Sequence, residues 1–131
     1  MPILDDHFAA LQSAGARRQY FANATLTSVS NGTAVIQLSN FALPSGWNRT
    51  HTTVYFIAPT GYPVARPDTF WTDPDLCLAS GGVPLSTGTQ QQPGLPPNLR
   101  WFSWHPATWN PNRDSLVTYV EMIRRRFEDK R

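Results

Sequence analysis

The sequence feature that most limits the possible folds is a short turn between two strand-like segments. Residues 20–29 and 33–38 are rich in β-branched side chains, and Ser30-Asn31-Gly32 joins them. Asn-Gly is the strongest short-range signal for a tight hairpin, because both central residues of such a turn adopt positive φ. A third strand-like segment, 52–58, follows a turn-rich stretch. The first half of the chain therefore predicts an antiparallel β-meander.

Apolar residues at helical spacing indicate a helix on each side of this meander. One is predicted over 3–13, with Gly15 as its stop signal, from the spacing of Leu4, Phe8 and Leu11. The other follows Asn110 or Asn112 as its cap and carries one apolar face, made of Leu116, Val120, Ile123 and Phe127. The predicted class is α+β, with an antiparallel sheet flanked by an N-terminal and a C-terminal helix.

The length of the chain limits the number of domains, and its charge limits the classes of partner it can bind. A chain of 131 residues predicts a single domain over 1–131. The net charge of +2 arises in the tail, since residues 1–123 carry six bases against seven acids. A nucleic-acid footprint over the whole surface is therefore disfavoured. The basic tail, Arg124 to Arg131, predicts either a solvated helix end or a contact with an acidic partner.

Cysteine usage and hydropathy favour a cytoplasmic location. The single cysteine, Cys77, excludes an intramolecular disulfide framework. The N-terminus lacks the basic and apolar regions of a signal peptide, and no stretch reaches the roughly 18 apolar residues of a membrane span. We therefore expect a reduced thiol and no membrane partner.

Two segments between the strands and the last helix predict loops. Prolines favour extended, ordered backbone over 59–75. Residues 79–99 hold almost no large apolar side chains, and a loop of that length in a small domain is usually a lid or a disordered excursion. We expect 79–99 to be a flexible loop next to the predicted active site.

Cys77 and His105 are the candidates for chemistry. Cys77 is either a buried structural cysteine or a nucleophile, and Asp73 and Asp75 nearby would raise the pKa of its thiol. His105 could supply the missing basic group, or it could pack into the aromatic block with one nitrogen bonded to backbone. A metal site is not expected, because paired Cys or His ligands at short spacing are absent from the sequence. The sequence contains no Gly-rich phosphate loop, and no cofactor is expected.

An aromatic block precedes the last helix and contains Trp101, Trp104 and Trp109. Such a block is compatible with base stacking on single-stranded nucleic acid. Because the rest of the chain is nearly neutral and an amphipathic helix follows directly, packing into the core is the preferred interpretation. No nucleic-acid partner is expected.

The order of these parts resembles that of ubiquitin-conjugating enzymes. Tyr62-Pro63-Val64-Ala65-Arg66-Pro67 resembles the Tyr-Pro-x-x-Pro-Pro turn of that family, with Arg66 in place of a proline. The segment that starts Trp109-Asn110-Pro111 resembles the Trp-x-Pro stretch that opens the helix behind the active site. The chain is similar in particular to small bacterial members of the superfamily, and the resemblance extends from Ile3 to Phe127.

The chain also departs from the family at the nucleophile. Eukaryotic members have His-Pro-Asn and then a cysteine about eight residues before Trp-x-Pro, whereas here that count reaches Trp101. Cys77 falls roughly where the His-Pro-Asn of the family would begin. Two readings follow: the nucleophile has moved to Cys77 in a rebuilt loop, or the chain is an inactive variant that only binds.

The resemblance implies a UBC-like fold and acyl transfer without a cofactor. Its partners would be a ubiquitin-like protein and an adenylating activating enzyme. Cys77 would carry the thioester, His105 would orient groups or handle a proton, and Asp75 or Asp73 would accept a proton from an attacking ammonium. Trp101, Trp104 and Trp109 are the candidate binding residues. The alternative is a module of the same fold that binds a ubiquitin-like protein or scaffolds the pathway.

Overall fold

A computed structural model describes residues 2–131, with the side chain of Pro2 left aside. Along this part of the chain the elements are α1 (Pro2–Arg18), β1 (Asn23–Ser28), β2 (Ala34–Ala42), β3 (His51–Ala58), β4 (Phe70–Thr72), β5 (Thr87–Gly88), β6 (Arg100–Phe102) and α2 (Leu116–Glu128). The strands form one six-stranded sheet in the order β1-β2-β3-β4-β6-β5, and every pairing is antiparallel. The predicted α+β class, with a meander between two helices, is confirmed.

One face of the sheet packs against the helices and forms the core. The period of two along a strand sends alternate side chains to this face, as for Val54, Phe56 and Ala58 of β3, all of which are buried. Leu11 of α1 and a stripe along α2 complete the same cluster. Its centre is aromatic: the ring of Phe102 stacks on that of Phe70 at 4.7 Å, and both meet Phe127 edge-on.

The hairpin lies where the sequence predicts it, but its turn is of another type. Only Gly32 has positive φ (87°), and Asn31 does not. The N–H of Gly32 donates to the carbonyl of Val29 at 3.0 Å, and the Asn31 side chain accepts from the N–H of Thr33 at 3.1 Å. The connection is a three-residue loop with glycine in the left-handed position, so the expectation of two positive-φ residues was wrong.

α1 is longer than predicted and runs through Gly15. A Cβ on Gly15 would overlap Cζ of Phe21, whose ring covers that side of the helix. Gly15 therefore provides space for an aromatic ring, and it does not end the helix. The prediction of a stop there was wrong because the reason for the glycine is a tertiary contact that sequence spacing does not show.

α2 begins later than predicted, with Ser115 as its N-cap. The N–H of Ser115 donates to Oγ1 of Thr118 at 3.1 Å. Asn110 and Asp114 instead close a separate turn ahead of the helix, in which the N–H of Asn110 donates to the Asp114 carboxylate at 2.8 Å. Capping by Asn110 or Asn112 was therefore wrong by one turn.

Within residues 79–99, the part around Gln90 and Gly94 lies on the sheet face that points away from the helices. Nε1 of Trp71 donates to the carbonyl of Gln90 at 2.8 Å. Farther along, Gly94 packs so closely on Val29 that a Cβ there would meet its side chain at 2.8 Å. The segment also contributes β5, so it has defined contacts along its length; its flexibility stays a prediction.

The two motifs that carry the family resemblance contact each other. Nε1 of Trp109 donates to the carbonyl of Pro63 at 2.8 Å, next to the cis Tyr62–Pro63 peptide bond. The buried hydroxyl of Tyr62 lies 2.6 Å from Nδ1 of half-buried His7. Burial raises the pKa of Tyr62 above its ordinary value. A hydrogen bond from the Leu116 backbone lowers this pKa but does not offset the effect of burial. The motifs thus join α1, the turn after β3 and the start of α2.

The basic tail is mostly neutralised or buried. Arg124 pairs with Glu121 and Glu128, and Arg131 pairs with Asp129. Arg126 is only 3% exposed. The expectation of a solvated helix end is therefore wrong for Arg126, and a free acidic-partner surface is reduced to Arg125 and Lys130, both of which are exposed.

Candidate functional site

Cys77 lies on the loop after β4, where Asn48 holds its backbone from both sides. The N–H of Cys77 donates to Oδ1 of Asn48 at 3.0 Å, and the N–H of Asn48 donates to the carbonyl of Cys77 at 2.9 Å. Nδ2 of Asn48 also donates to the carbonyl of Asp75 at 2.9 Å. The residue is half-buried. One asparagine therefore fixes the position from which the thiol projects.

The two acids near Cys77 share one cation. Arg49 contacts the carboxylate of Asp75 at 2.7 Å and that of Asp73 at 3.2 Å. Asp73 is also tied to β3, since it accepts from the N–H of Thr53 at 3.1 Å. Asp75, with 73% of its side chain exposed, has no such tie. Of the two predicted proton acceptors, Asp75 is the one that an approaching group can reach.

His105 lies on the segment after β6 and pairs with Asp68. Its Nδ1 is 2.6 Å from Oδ1 of Asp68 and 3.1 Å from the carbonyl of the same residue. Its Nε2 is 3.3 Å from Oγ of Ser103. Below this segment, burial and the charge of Asp68 raise the pKa of Tyr119, whose hydroxyl donates to the carbonyl of Trp104 at 3.2 Å.

Asp75 lies two residues before Cys77 in the sequence, whereas Asp68 and Ser103 hold His105. Within residues 2–131, no hydrogen bond joins Cys77 to His105 or to any other base. In the same part of the chain, no group of three or more His, Cys, Asp or Glu side chains is placed to hold a metal ion. The catalytic roles of Cys77, His105 and Asp75 stay predictions.

The three candidate binding tryptophans have different surroundings. Trp101 of β6 pairs with Trp71 of β4 on the sheet face away from the helices. Trp104 and Trp109 are half-buried against the core. Trp104 also lines an open cleft of about 330 Å³ next to His105. It is thus the tryptophan best placed for a ligand that approaches His105, and its role in binding stays a prediction.

Sequence reasoning missed Asn48, Ser103 and Asp68. The Ser103-x-His105 spacing was a usable signal, since alternate residues of an extended segment share a face. Asp68 and Asn48 gave no such signal. Both come from distant parts of the chain, and only the pairing of β4 with β6 and the turn before β3 bring them to these positions.

Comparison with known proteins gives one family. The family described as prokaryotic E2 family E matches residues 16–130, a span that includes the whole sheet, Cys77, His105 and α2. No curated protein matches the chain, and no solved structure matches it. No helix in residues 2–131 is long and apolar enough to cross a membrane.

Proposed function

Because the chain belongs to prokaryotic E2 family E, we propose that it carries the carboxyl-terminal acyl group of a ubiquitin-like protein on Cys77. The acyl group comes from an adenylating activating enzyme and passes to a nucleophile on a target. The family match over residues 16–130 is the observation that carries the proposal. An E2-like conjugating role follows from membership of this family. The UBC-like form of the fold belongs to the same proposal, supported by the antiparallel meander between two helices.

The surroundings of Cys77 support its role as the acyl carrier. A thiolate is disfavoured next to unpaired carboxylates, and Arg49 offsets both Asp73 and Asp75 here. The two backbone hydrogen bonds to Asn48 hold the residue in place, which reduces the entropy lost when a large acyl donor is positioned.

The reaction exchanges one acyl bond for another. The Cys77 thiolate attacks the carbonyl carbon of the activated ubiquitin-like tail, the new C–S bond forms, and the bond to the activating enzyme breaks. A target amine then attacks the thioester carbonyl carbon, and the C–N bond forms as the C–S bond breaks and the Cys77 thiolate leaves. Exposed Asp75 accepts the proton of the attacking ammonium. His105 would have to leave Asp68 to serve this thiol.

A second function is a binding module that does not form a thioester. It is favoured by one observation: within residues 2–131 the thiol of Cys77 has no hydrogen-bonded base. In that case the surface around Cys77 binds the ubiquitin-like protein or its activating enzyme, and the acyl group is not transferred to Cys77.

The test is an adduct assay with the cognate activating enzyme, ubiquitin-like protein and ATP. We expect an adduct that reductant removes, its loss in Cys77→Ala, and a reductant-resistant, hydroxylamine-sensitive ester in Cys77→Ser. Asp75→Asn should form the adduct normally but discharge it more slowly to an amine. Ser13→Ala, at an exposed position of α1, is the matched control.

Two results would decide against the proposal. A reductant-sensitive adduct that persists in Cys77→Ala would exclude Cys77. Absence of any adduct in the native chain, together with binding of the ubiquitin-like protein that Cys77→Ser leaves intact, would establish the binding module instead.

A further inference from the structure

Asp68, His105 and Ser103 form one continuous chain of hydrogen bonds that the Cys77 site does not use. Nδ1 of His105 faces two acceptors, the carboxylate of Asp68 at 2.6 Å and its carbonyl at 3.1 Å. Nδ1 must therefore carry the proton. In the neutral ring Nε2 is then an acceptor, and the Ser103 hydroxyl, 3.3 Å away, donates to it. Asp68 thus sets the tautomer that makes Nε2 a base towards Ser103.

The fold explains why these three residues meet. Ser103 and His105 are alternate residues of an extended segment, so their side chains share a face. The residue that follows, Pro106, is buried and keeps His105 out of helical geometry. β4 pairs with β6 through Phe70 and Phe102, so the antiparallel chain just before β4 brings Asp68 alongside.

The serine is anchored, whereas the base is open to solvent. The N–H of Ser103 donates to the carbonyl of Ser86 at 2.8 Å, which ties its backbone to the segment before β5. His105 has 49% of its side chain exposed, and Asp68 has 61%. The cleft of about 330 Å³ begins at His105, and its other walls are Trp104, Ala107, Thr108, Met122 and Arg125. The imidazole that would take the proton is therefore accessible to solvent, next to a half-buried Ser103.

We propose that Ser103 is an acyl-accepting nucleophile, with His105 as its base and Asp68 as the positioning residue for His105. Oγ of Ser103 attacks the carbonyl carbon of an activated ester or thioester while its proton passes to Nε2 of His105. The bond to the leaving alkoxide or thiolate breaks, and His105 returns the proton to that group. The product is an ester on Ser103, and no oxidation or reduction takes place.

The choice of an activated carboxyl-terminal acyl group as substrate rests on the proposed function, whereas the nucleophile itself does not. The two can fail separately. A chain with an inert Ser103 can still form a thioester on Cys77. Conversely, a chain without a thioester on Cys77 can still have a reactive serine.

The test is labelling of the full chain by a fluorophosphonate probe, which reacts with base-activated serines. Intact mass gives the rate, and tryptic peptide 101–113 gives the site. We expect the probe on Ser103, its loss from this peptide in Ser103→Ala, and a rate at least about tenfold lower in His105→Ala and in Asp68→Asn. Ser13→Ala should react at the native rate, since Ser13 is an exposed residue of α1.

Added imidazole separates catalysis from a structural role of His105. If His105 is the base, imidazole restores labelling of His105→Ala without changing its melting temperature. The proposal is overturned if the folded native chain leaves Ser103 unlabelled, or if His105→Ala labels as fast as the native chain. It is also overturned if imidazole gives no rescue of a folded His105→Ala variant.

Discussion

At the scale of single residues, the least expected feature is a buried cation in an aromatic cage. The guanidinium of Arg126 lies 5.2 Å from the ring of Phe102 and 5.7 Å from that of Trp104. It donates to three backbone carbonyls, those of Leu85, Asp129 and Arg131, at 2.8 to 3.0 Å. Burial lowers the pKa of Arg126 from its ordinary value, but a guanidinium stays charged at any physiological pH. Its charge is met by ring faces and carbonyl dipoles.

We predict that Arg126→Met destabilises the protein by about 2–4 kcal/mol, because the carbonyls it serves lose a charged donor inside the molecule. Arg126→Lys should recover only part of this loss, since an ammonium lacks the planar fork that reaches all three. Urea denaturation measures both. The exposed neighbour Arg125 is the control, and Arg125→Ala should change stability by less than about 0.5 kcal/mol. Equal effects at the two positions would contradict the buried role of Arg126.

At the scale of elements, the sequence predicted the type of each helix and long strand better than it predicted their boundaries. The three strands of the meander and both helices follow from periodicity, which is a local property. The short strands β4, β5 and β6 do not, because two or three residues hold no readable period and these segments become strands only through their neighbours. The course of α1 through Gly15 likewise depends on Phe21.

We predict that Gly15→Ala destabilises the protein by about 1–3 kcal/mol, although alanine is the better helix former by about 1 kcal/mol. The new methyl group would overlap the ring of Phe21. Thermal and urea unfolding measure the change. In a Phe21→Ala background the sign should reverse, so that Gly15→Ala becomes neutral or stabilising. The same destabilisation in both backgrounds would mean that the ring is not the cause.

At the scale of the whole molecule, one carboxylate joins the end of α1 to α2. Glu121 of α2 accepts from Arg18 of α1 at 3.0 Å, from the Tyr20 hydroxyl at 2.9 Å and from Arg124 at 2.9 Å. Burial alone would raise the pKa of Glu121. The hydrogen bonds from Arg124 and Tyr20 and the charges of Arg124 and Arg18 outweigh burial, so its pKa is lower than usual.

A carboxyl whose pKa is lowered by folding stabilises the protein above its unfolded pKa, about 4.3, and loses that contribution as pH falls through the folded value. We therefore predict that stability falls between about pH 5 and 3 and that Glu121→Gln flattens this part of the curve. The native chain should be more stable than the variant at pH 7 by about 1 kcal/mol. Urea unfolding across this range measures it. Glu128→Gln is the exposed control, and an equal flattening there would contradict the prediction.

The candidate site shows the same division between local and long-range information. The sequence pointed to Cys77 and His105 by residue type and to Asp75 by proximity. It could not show that Asn48 holds the cysteine or that Asp68 holds the histidine, since each pair is separated by about 30 residues or more along the chain. The pairing of His105 with Cys77, inferred from chemistry alone, has no counterpart among the hydrogen bonds of residues 2–131.

The buried guanidinium also couples two segments that are distant along the chain. Arg126 binds the carbonyls of Leu85 and Arg131 together, and the N–H of Leu85 donates to the same Arg131 carbonyl at 3.1 Å. We therefore expect the segment at Leu85 and residues 129–131 to detach together. In amide hydrogen exchange the two should behave as a single cooperative unit, opening with one free energy and at one rate.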